Sequence, residues 1–427
     1  MANAHKAAID QLMPILRLFA GLLALALSAC ASNTPPPATA AAVTRPAHPV
    51  ILISVDGLRA DYLRRGVSPN ITALAARGVT TNAMRPSFPS LTFPNHYTLV
   101  TGLRPDRHGV VNNTMRDAEL GAFSMGIRSA VEDGRWWNDA EPIWVTAEQA
   151  GIPTATMFWP GSEAAVRGVR PYRWLKFDGD MPEAARVDQL LAWLDERPQE
   201  RPSLGFATLY FDTVDHDGHE FGPDSPQVNT ALARVDAQIG RLLAGLKQRG
   251  IEANIVLVAD HGMAQVSNDR RILLDALLDP ASVQLVAGGA IASLNPQPGQ
   301  EVAVKAALLR PHPHMACHEK ANLPARLHYG RHRRVPAIIC IAEAGWMIWQ
   351  SAPPASQTQR PLGGMHGYDP AHPDMAASFV AAGPAFRAGV VLPPFDNVDV
   401  HPLLLRLLGL PAMATDGDGK VLAKALR

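Results

Sequence analysis

Val50-Ile51-Leu52-Ile53-Ser54-Val55 runs directly into Asp56-Gly57, and this junction sets the fold. The apolar run is short and rich in β-branched residues, as in a strand covered on both faces. It stops at a carboxylate. Working outward, the rhythm repeats. Pro69-Asn70-Ile71 opens a helix, and residues 84–95, rich in Pro, Ser and Phe, form a loop leading into another. A helix near 143–150 precedes a strand over 151–157, and a helix over 184–196 precedes Gly205 to Tyr210. A long amphipathic helix over 228–248 precedes Ile255-Val256-Leu257-Val258-Ala259, which ends at Asp260-His261. Alternating strands and helices predict an α/β fold: a central, mostly parallel sheet with helices on both faces. Such sheets bind ligands beyond the carboxyl ends of their strands. Residues 283–350 read differently, with short alternating strands, one helix and a His-rich link, and predict a small inserted α+β lobe. A strand over 376–381 and a helix over 402–408 return to the main body.

The strand ends carry the chemistry. Asp56, Asp260 and His261 each follow an apolar run, so a rigid sheet would present them as ligands. Asp215 and His219 sit four apart and meet if their segment coils into a helical turn. Asp212 and His216 have the same spacing, so composition alone leaves both pairs open. His366 lies in a glycine-rich loop. Carboxylates and imidazoles in this number suit two divalent cations about 4 Å apart, which can clamp both oxygens of a phosphoryl transfer. Thr92, in Ser90-Leu91-Thr92-Phe93-Pro94-Asn95-His96, is a candidate nucleophile, and Ser87, Ser90 and Thr98 are rival hydroxyls. A helix start at Thr92 would aim backbone N–H groups at a phosphate.

Lys+Arg and Asp+Glu are equal at 39 each, and Arg331–Arg334 is the densest basic block. This argues against a stable nucleic-acid partner, which needs a positive surface. Lys6 and Arg17 precede an apolar stretch over 18–29 that ends Leu27-Ser28-Ala29-Cys30. The pattern resembles a bacterial lipoprotein signal, with Cys30 as the acylated residue. It implies an exported, periplasmic chain anchored by lipid to the outer membrane. The domain reading is a signal over 1–30, a disordered Ala/Thr/Pro tether over 31–49, and a catalytic domain over 50–427 with the lobe inserted at 283–350. In an oxidising compartment Cys317 and Cys340 could pair.

Together the motifs resemble the nucleotide pyrophosphatase/phosphodiesterase family of the alkaline phosphatase superfamily over roughly residues 50–410, in a bacterial, xanthomonad-type form. Thr92-Phe93-Pro94-Asn95-His96 is similar to the family's nucleophile motif. His108-Gly109-Val110-Val111-Asn112-Asn113 resembles the segment whose last Asn contacts a phosphoryl oxygen, which gives Asn113 that role. Asp215 to Pro223 matches Asp-x-x-Gly-His-x-x-Gly-Pro, which favours Asp215 and His219. The resemblance implies two Zn2+ ions, one on Asp56, Asp260 and His261 beside Thr92, the other on Asp215, His219 and His366.

It also implies hydrolysis of small nucleotide diesters and pyrophosphates to nucleoside 5′-monophosphates through a phosphothreonine, with the base stacked at Phe93 and Tyr210. Phospholipid head-group diesters, phosphomonoesters and phosphonates are the competing substrates. The nucleophile loop lacks the Arg with which monoesterases of the superfamily hold extra charge, which favours diesters. Trp136, Trp137, Trp159 and Trp174 are candidates for an aromatic cage.

Overall fold

The computed structural model describes residues 46–196, 203–352 and 363–427. The expected signal and most of the tether lie outside them. At the tether's end His48 donates from Nδ1 to the Glu252 carbonyl, and the Pro49 carbonyl accepts from Asn254 N–H.

Eight strands form the central sheet: β1 (Val50–Val55), β2 (Val79–Thr81), β3 (Thr154–Met157), β4 (Arg173–Trp174), β5 (Phe206–Phe211), β6 (Asn254–Val258), β7 (Phe379–Ala382) and β8 (Val390–Leu392). Their spatial order is β8-β2-β7-β6-β1-β5-β3-β4. All neighbours are parallel except β7, which runs antiparallel to both β2 and β6. The alternating pattern thus predicts the α/β architecture, while the direction of β7 is a departure that hydrophobicity does not encode. Every residue of β1, β5 and β6 is buried, because both faces are covered.

Register places the site. Val55 pairs with Phe211 and Ser54 with Val258, so the carboxyl ends of β5, β1 and β6 finish side by side. Asp56 leaves β1, Asp260 and His261 leave β6, and β5 leads into α1 (Thr213–Phe221), which carries Asp215 and His219. Thr92 opens α2 (Thr92–Thr101), and Gly102 in the left-handed conformation ends it.

Between β6 and β7 the chain forms a separate four-stranded antiparallel sheet from Val283–Ala287, Ile291–Pro296, Met315–Glu319 and Ile338–Ala342. Leu294, Ile338 and Cys340 pack with Val304 and Leu308 of the helix Glu301–Leu308 in a core of its own. Cys317 and Cys340 face each other in register and are joined by a disulfide. His314 stacks on Trp346 and bonds Glu343, and His312 bonds the Ala307 carbonyl, so this His-rich link is used in packing.

Candidate active site

Three histidines share one arrangement. His261 Nδ1 bonds the Gly262 carbonyl, His366 Nδ1 the Ser90 carbonyl, and His219 Nδ1 the Gly364 carbonyl, each at 2.9 Å. A carbonyl only accepts, so each Nδ1 carries the proton and each Nε2 presents a lone pair. Those lone pairs converge. His366 Nε2 and His219 Nε2 are 3.1 Å apart. His261 Nε2 lies 3.0 Å from Asp260 Oδ2 and 3.4 Å from Asp56 Oδ1. Lone pairs facing lone pairs at this range repel unless a cation stands among them.

The carboxylates agree. Asp56 Oδ1 and Asp215 Oδ1 are buried without a hydrogen-bond partner, a costly state for a polar oxygen. Burial and the nearby Asp260 and Asp215 push the Asp56 carboxyl above the usual carboxylate range. Burial and the neighbouring His261 and His219 push the His366 imidazole down. Ligand atoms of Asp215, His261 and His366 lie within 4.8 Å of one another, as do those of Asp56, His96 and Asp260. The donor set therefore fits a pair of divalent cations. His261 stands between the two groups and stacks on His366 at 3.5 Å.

His96 is excluded from ligation by its own bonds. Its Nδ1 donates to the Thr92 carbonyl at 2.9 Å, and its Nε2 pairs with Ser54 Oγ at 2.8 Å. Its Nδ1 also lies 3.3 Å from Asp260 Oδ2, so it braces that carboxylate and the first turn of α2. The sequence left His96 ambiguous. Its place one helical turn after Thr92, on the same face of α2, was the available signal.

The ambiguous pairs resolve. Asp212 is held by Arg186 at 2.7 Å, and His216 points to solvent with a side chain 72% exposed. Asp215 and His219 join the cluster. Among the hydroxyls, Ser87 donates to Asn397, Ser90 to the Tyr368 carbonyl and Thr98 to the Pro94 carbonyl. Thr92 Oγ1 lies 3.3 Å from His261 Nε2. Asn113 meets it through the neighbouring residue: its Oδ1 accepts the Phe93 N–H at 2.9 Å, so its NH2 remains a donor. Of the N–H groups at the start of α2, that of Phe93 is taken by Asn113. Gly262 allows close approach of the chain, since a Cβ there would stand 2.1 Å from the Asp374 carbonyl oxygen.

A cavity of about 250 Å³ opens beside Asp56, Thr92 and Asp215 and is walled mainly by Phe93, Met125, Phe158, Phe177 and Tyr210. Tyr210 lines it, but its hydroxyl donates to Asp56 Oδ2 at 2.7 Å, a bond no sequence pattern announces. Trp159 also lines it and donates to the His96 carbonyl, whereas Trp136 and Trp137 are buried packing residues. No Trp cage forms at the cluster among the described residues.

Residues 50–369 match the model of the type I phosphodiesterase/nucleotide pyrophosphatase family. The chain belongs to this family. It is 37% identical over 381 residues to a Schizosaccharomyces pombe pyrophosphatase/phosphodiesterase, covering 86% of this chain and 78% of that one. It is 35% identical over 372 residues to a Xenopus laevis bis(5′-adenosyl)-triphosphatase, covering 86% and 79%. It is also 35% identical to human ectonucleotide pyrophosphatase/phosphodiesterase family member 1 over 383 residues, but that match spans only 41% of the human chain.

Murine ectonucleotide pyrophosphatase/phosphodiesterase 5, as an inactive threonine-to-alanine variant in complex with AMP, superposes with a TM-score of 0.84 at 33% identity. That alignment covers 89% of this chain and all of the murine one. The family member is thus an α/β hydrolase of the nucleotide pyrophosphatase/phosphodiesterase type with a two-metal active-site arrangement.

Two expectations are corrected. The relatives found are eukaryotic, most of them named ectonucleotide enzymes, which overturns the bacterial, xanthomonad-type reading. The periplasmic, outer-membrane location falls with it. The source was misread because the site motifs are dictated by metal and phosphate chemistry, which is the same in every organism, and the location was read from the pattern ending at Cys30, which lies outside the described residues.

Proposed function

We propose that this enzyme hydrolyses small nucleotide phosphodiesters and pyrophosphates to nucleoside 5′-monophosphates through a phosphothreonine at Thr92. One observation carries the reading. Thr92 Oγ1 stands 3.3 Å from His261 Nε2, where the two ligand groups meet and the aromatic cavity opens. Asp56, Asp260 and His261 would hold one Zn2+, and Asp215, His219 and His366 the other. Bound there, the cations would acidify the attacking hydroxyl and water and neutralise charge on the phosphoryl and leaving oxygens.

The chain's own residues do the rest. Thr92 Oγ forms a bond to phosphorus as the bond to the leaving oxygen breaks. Water then attacks the same phosphorus, the bond to Thr92 Oγ breaks, and a proton from that water restores the hydroxyl as the nucleoside 5′-monophosphate leaves. Asn113 NH2 donates to a nonbridging oxygen where charge is greatest. His96 fixes Asp260 and the first turn of α2, and Tyr210 fixes Asp56. Phe93 and Tyr210 line the cavity for the base, with Phe177 on its rim. AMP in the murine relative supports a nucleotide there, and the inactivity of its threonine-to-alanine form supports a threonine nucleophile. Residues 50–427 would form one catalytic domain, with 283–350 as its inserted lobe.

Thr92→Ala tests the reading. Hydrolysis of a dinucleoside polyphosphate should fall by roughly three orders of magnitude or more, and acid-quenched wild-type enzyme should carry a nucleoside monophosphate esterified through its phosphate to Thr92. Full activity in the variant, or preferred turnover of lysophospholipid by the wild type, would contradict it.

A further inference from the structure

The inserted lobe separates the segment bearing His261 from the segment bearing His366, yet its densest polar contacts fall on a third segment, the one bearing Asn113. Tyr329, buried against Phe88, donates its hydroxyl to the Val111 carbonyl at 2.9 Å, two residues before Asn113. Arg334 is 2% exposed. Its Nη1 donates to the Gly109 carbonyl and its Nε to Asp117 Oδ2, both at 2.8 Å, which ties both flanks of Asn113 with one guanidinium. Arg333 adds a bond to Asp117. The backbone N–H groups of Gly330, Arg331 and His332 all donate to Asp106, in the short helix that leads into Gly109.

Gly109 shows how closely the two surfaces meet. It adopts φ +80°, and a Cβ there would lie 3.0 Å from both Arg334 Nη1 and His332 Nε2. A guanidinium this buried needs acceptors on every side. Gly109, Asp117 and the Trp136 carbonyl supply them, so the segment 106–117 is held in one place.

We propose that Tyr329–Arg334 is a positioning strap for Asn113: the lobe fixes, from more than 200 residues away in sequence, the donor that meets the transferring phosphoryl group. Tyr329 and Arg334 are positioning residues, since neither touches substrate. The proposal rests on the phosphoryl-contact role of Asn113 given above. A misplaced Asn113 would weaken a contact that matters most as charge develops, so the loss belongs in kcat rather than KM.

The test is a double-mutant cycle in the full-length, zinc-loaded enzyme. Tyr329→Phe keeps the ring and removes one donor. Arg334→Lys breaks the fork that spans Gly109 and Asp117, and if it fails to fold, Tyr329→Phe alone decides. Each is expected to lower kcat for a dinucleotide about 3- to 30-fold with KM changed less than about 2-fold. In an Asn113→Ala background the same substitutions should cause no further loss, a coupling that general destabilisation would not produce. If Asn113→Ala is slow but the strap variants keep wild-type kcat, or lose the same factor in both backgrounds, the strap is refuted. If Asn113→Ala itself keeps full kcat, the Asn113 role falls first and the strap with it.

Discussion

The two halves of the metal cluster are built by different means. Asp56, Asp260 and His261 sit directly beyond two adjacent parallel strands, and their side chains are 0–2% exposed. Asp215 and His219 lie one helical turn apart on α1, 18% and 37% exposed, and His366 arrives on a loop about 150 residues later. That loop is pinned by a two-residue antiparallel pairing, Ala264–Gln265 with Gly364–Met365. The first half is fixed by the sheet, and its cost in buried charge falls on the fold itself. The second half is assembled by contacts between a helix and a loop at the solvent edge. Rigidity therefore belongs beside Thr92, and exchange with solvent belongs at Asp215 and His219.

The largest expected difference lies between Asp260→Asn and His219→Asn. Asp260 is buried with His261 and His96 within 3.3 Å. Asp260→Asn should cost roughly three orders of magnitude in kcat/KM and resist added zinc. His219→Asn should lose less and recover in part with excess zinc, since an exposed site refills by mass action. Equal losses and equal rescue would erase the distinction between the halves. Tyr210→Phe probes the buried half more gently. Removing the 2.7 Å bond to Asp56 should lower metal affinity or activity by about 10- to 100-fold, read by zinc titration.

Much of the buried half was legible in the sequence, because an apolar run ending in Asp is a strand delivering a ligand. The exposed half was harder. Spacing alone could not separate Asp215 and His219 from Asp212 and His216, because a helical turn brings either pair together. The family pattern over Asp215 to Pro223 favoured the first pair, and in the structure Arg186 claims Asp212 from another helix. The bond from Tyr210 to Asp56 was hidden because it depends on which way a buried side chain turns, and periodicity does not record that. The antiparallel course of β7 was hidden for a similar reason: a run buried on both faces reads the same in either direction. The source was misread because motifs of shared chemistry do not carry it, and the compartment because it was read from the pattern ending at Cys30 alone.

The smallest expected effect lies away from both halves and gives a baseline for acid sensitivity. Burial lowers His401 to about 3, and neither ring nitrogen has a hydrogen-bond partner. The unfolded chain takes up this proton near pH 6.5 and the folded chain does not. The associated stability is fully present above that pH and falls as pH drops toward 3, by on the order of a few kcal/mol at pH 4. His401→Leu should flatten this part of the profile, measured by urea unfolding between pH 7 and 4, and leave kcat near pH 7 within about 2-fold. An unchanged slope would show that His401 is already protonated in the folded protein.

The central claim is that six side chains gather two cations around Thr92. Anomalous diffraction at the zinc edge from zinc-loaded crystals tests it most directly. The account predicts two peaks, one bounded by Asp56, Asp260 and His261 and the other by Asp215, His219 and His366, with Thr92 Oγ beside the first. A single peak, or one coordinated by His96, would contradict it.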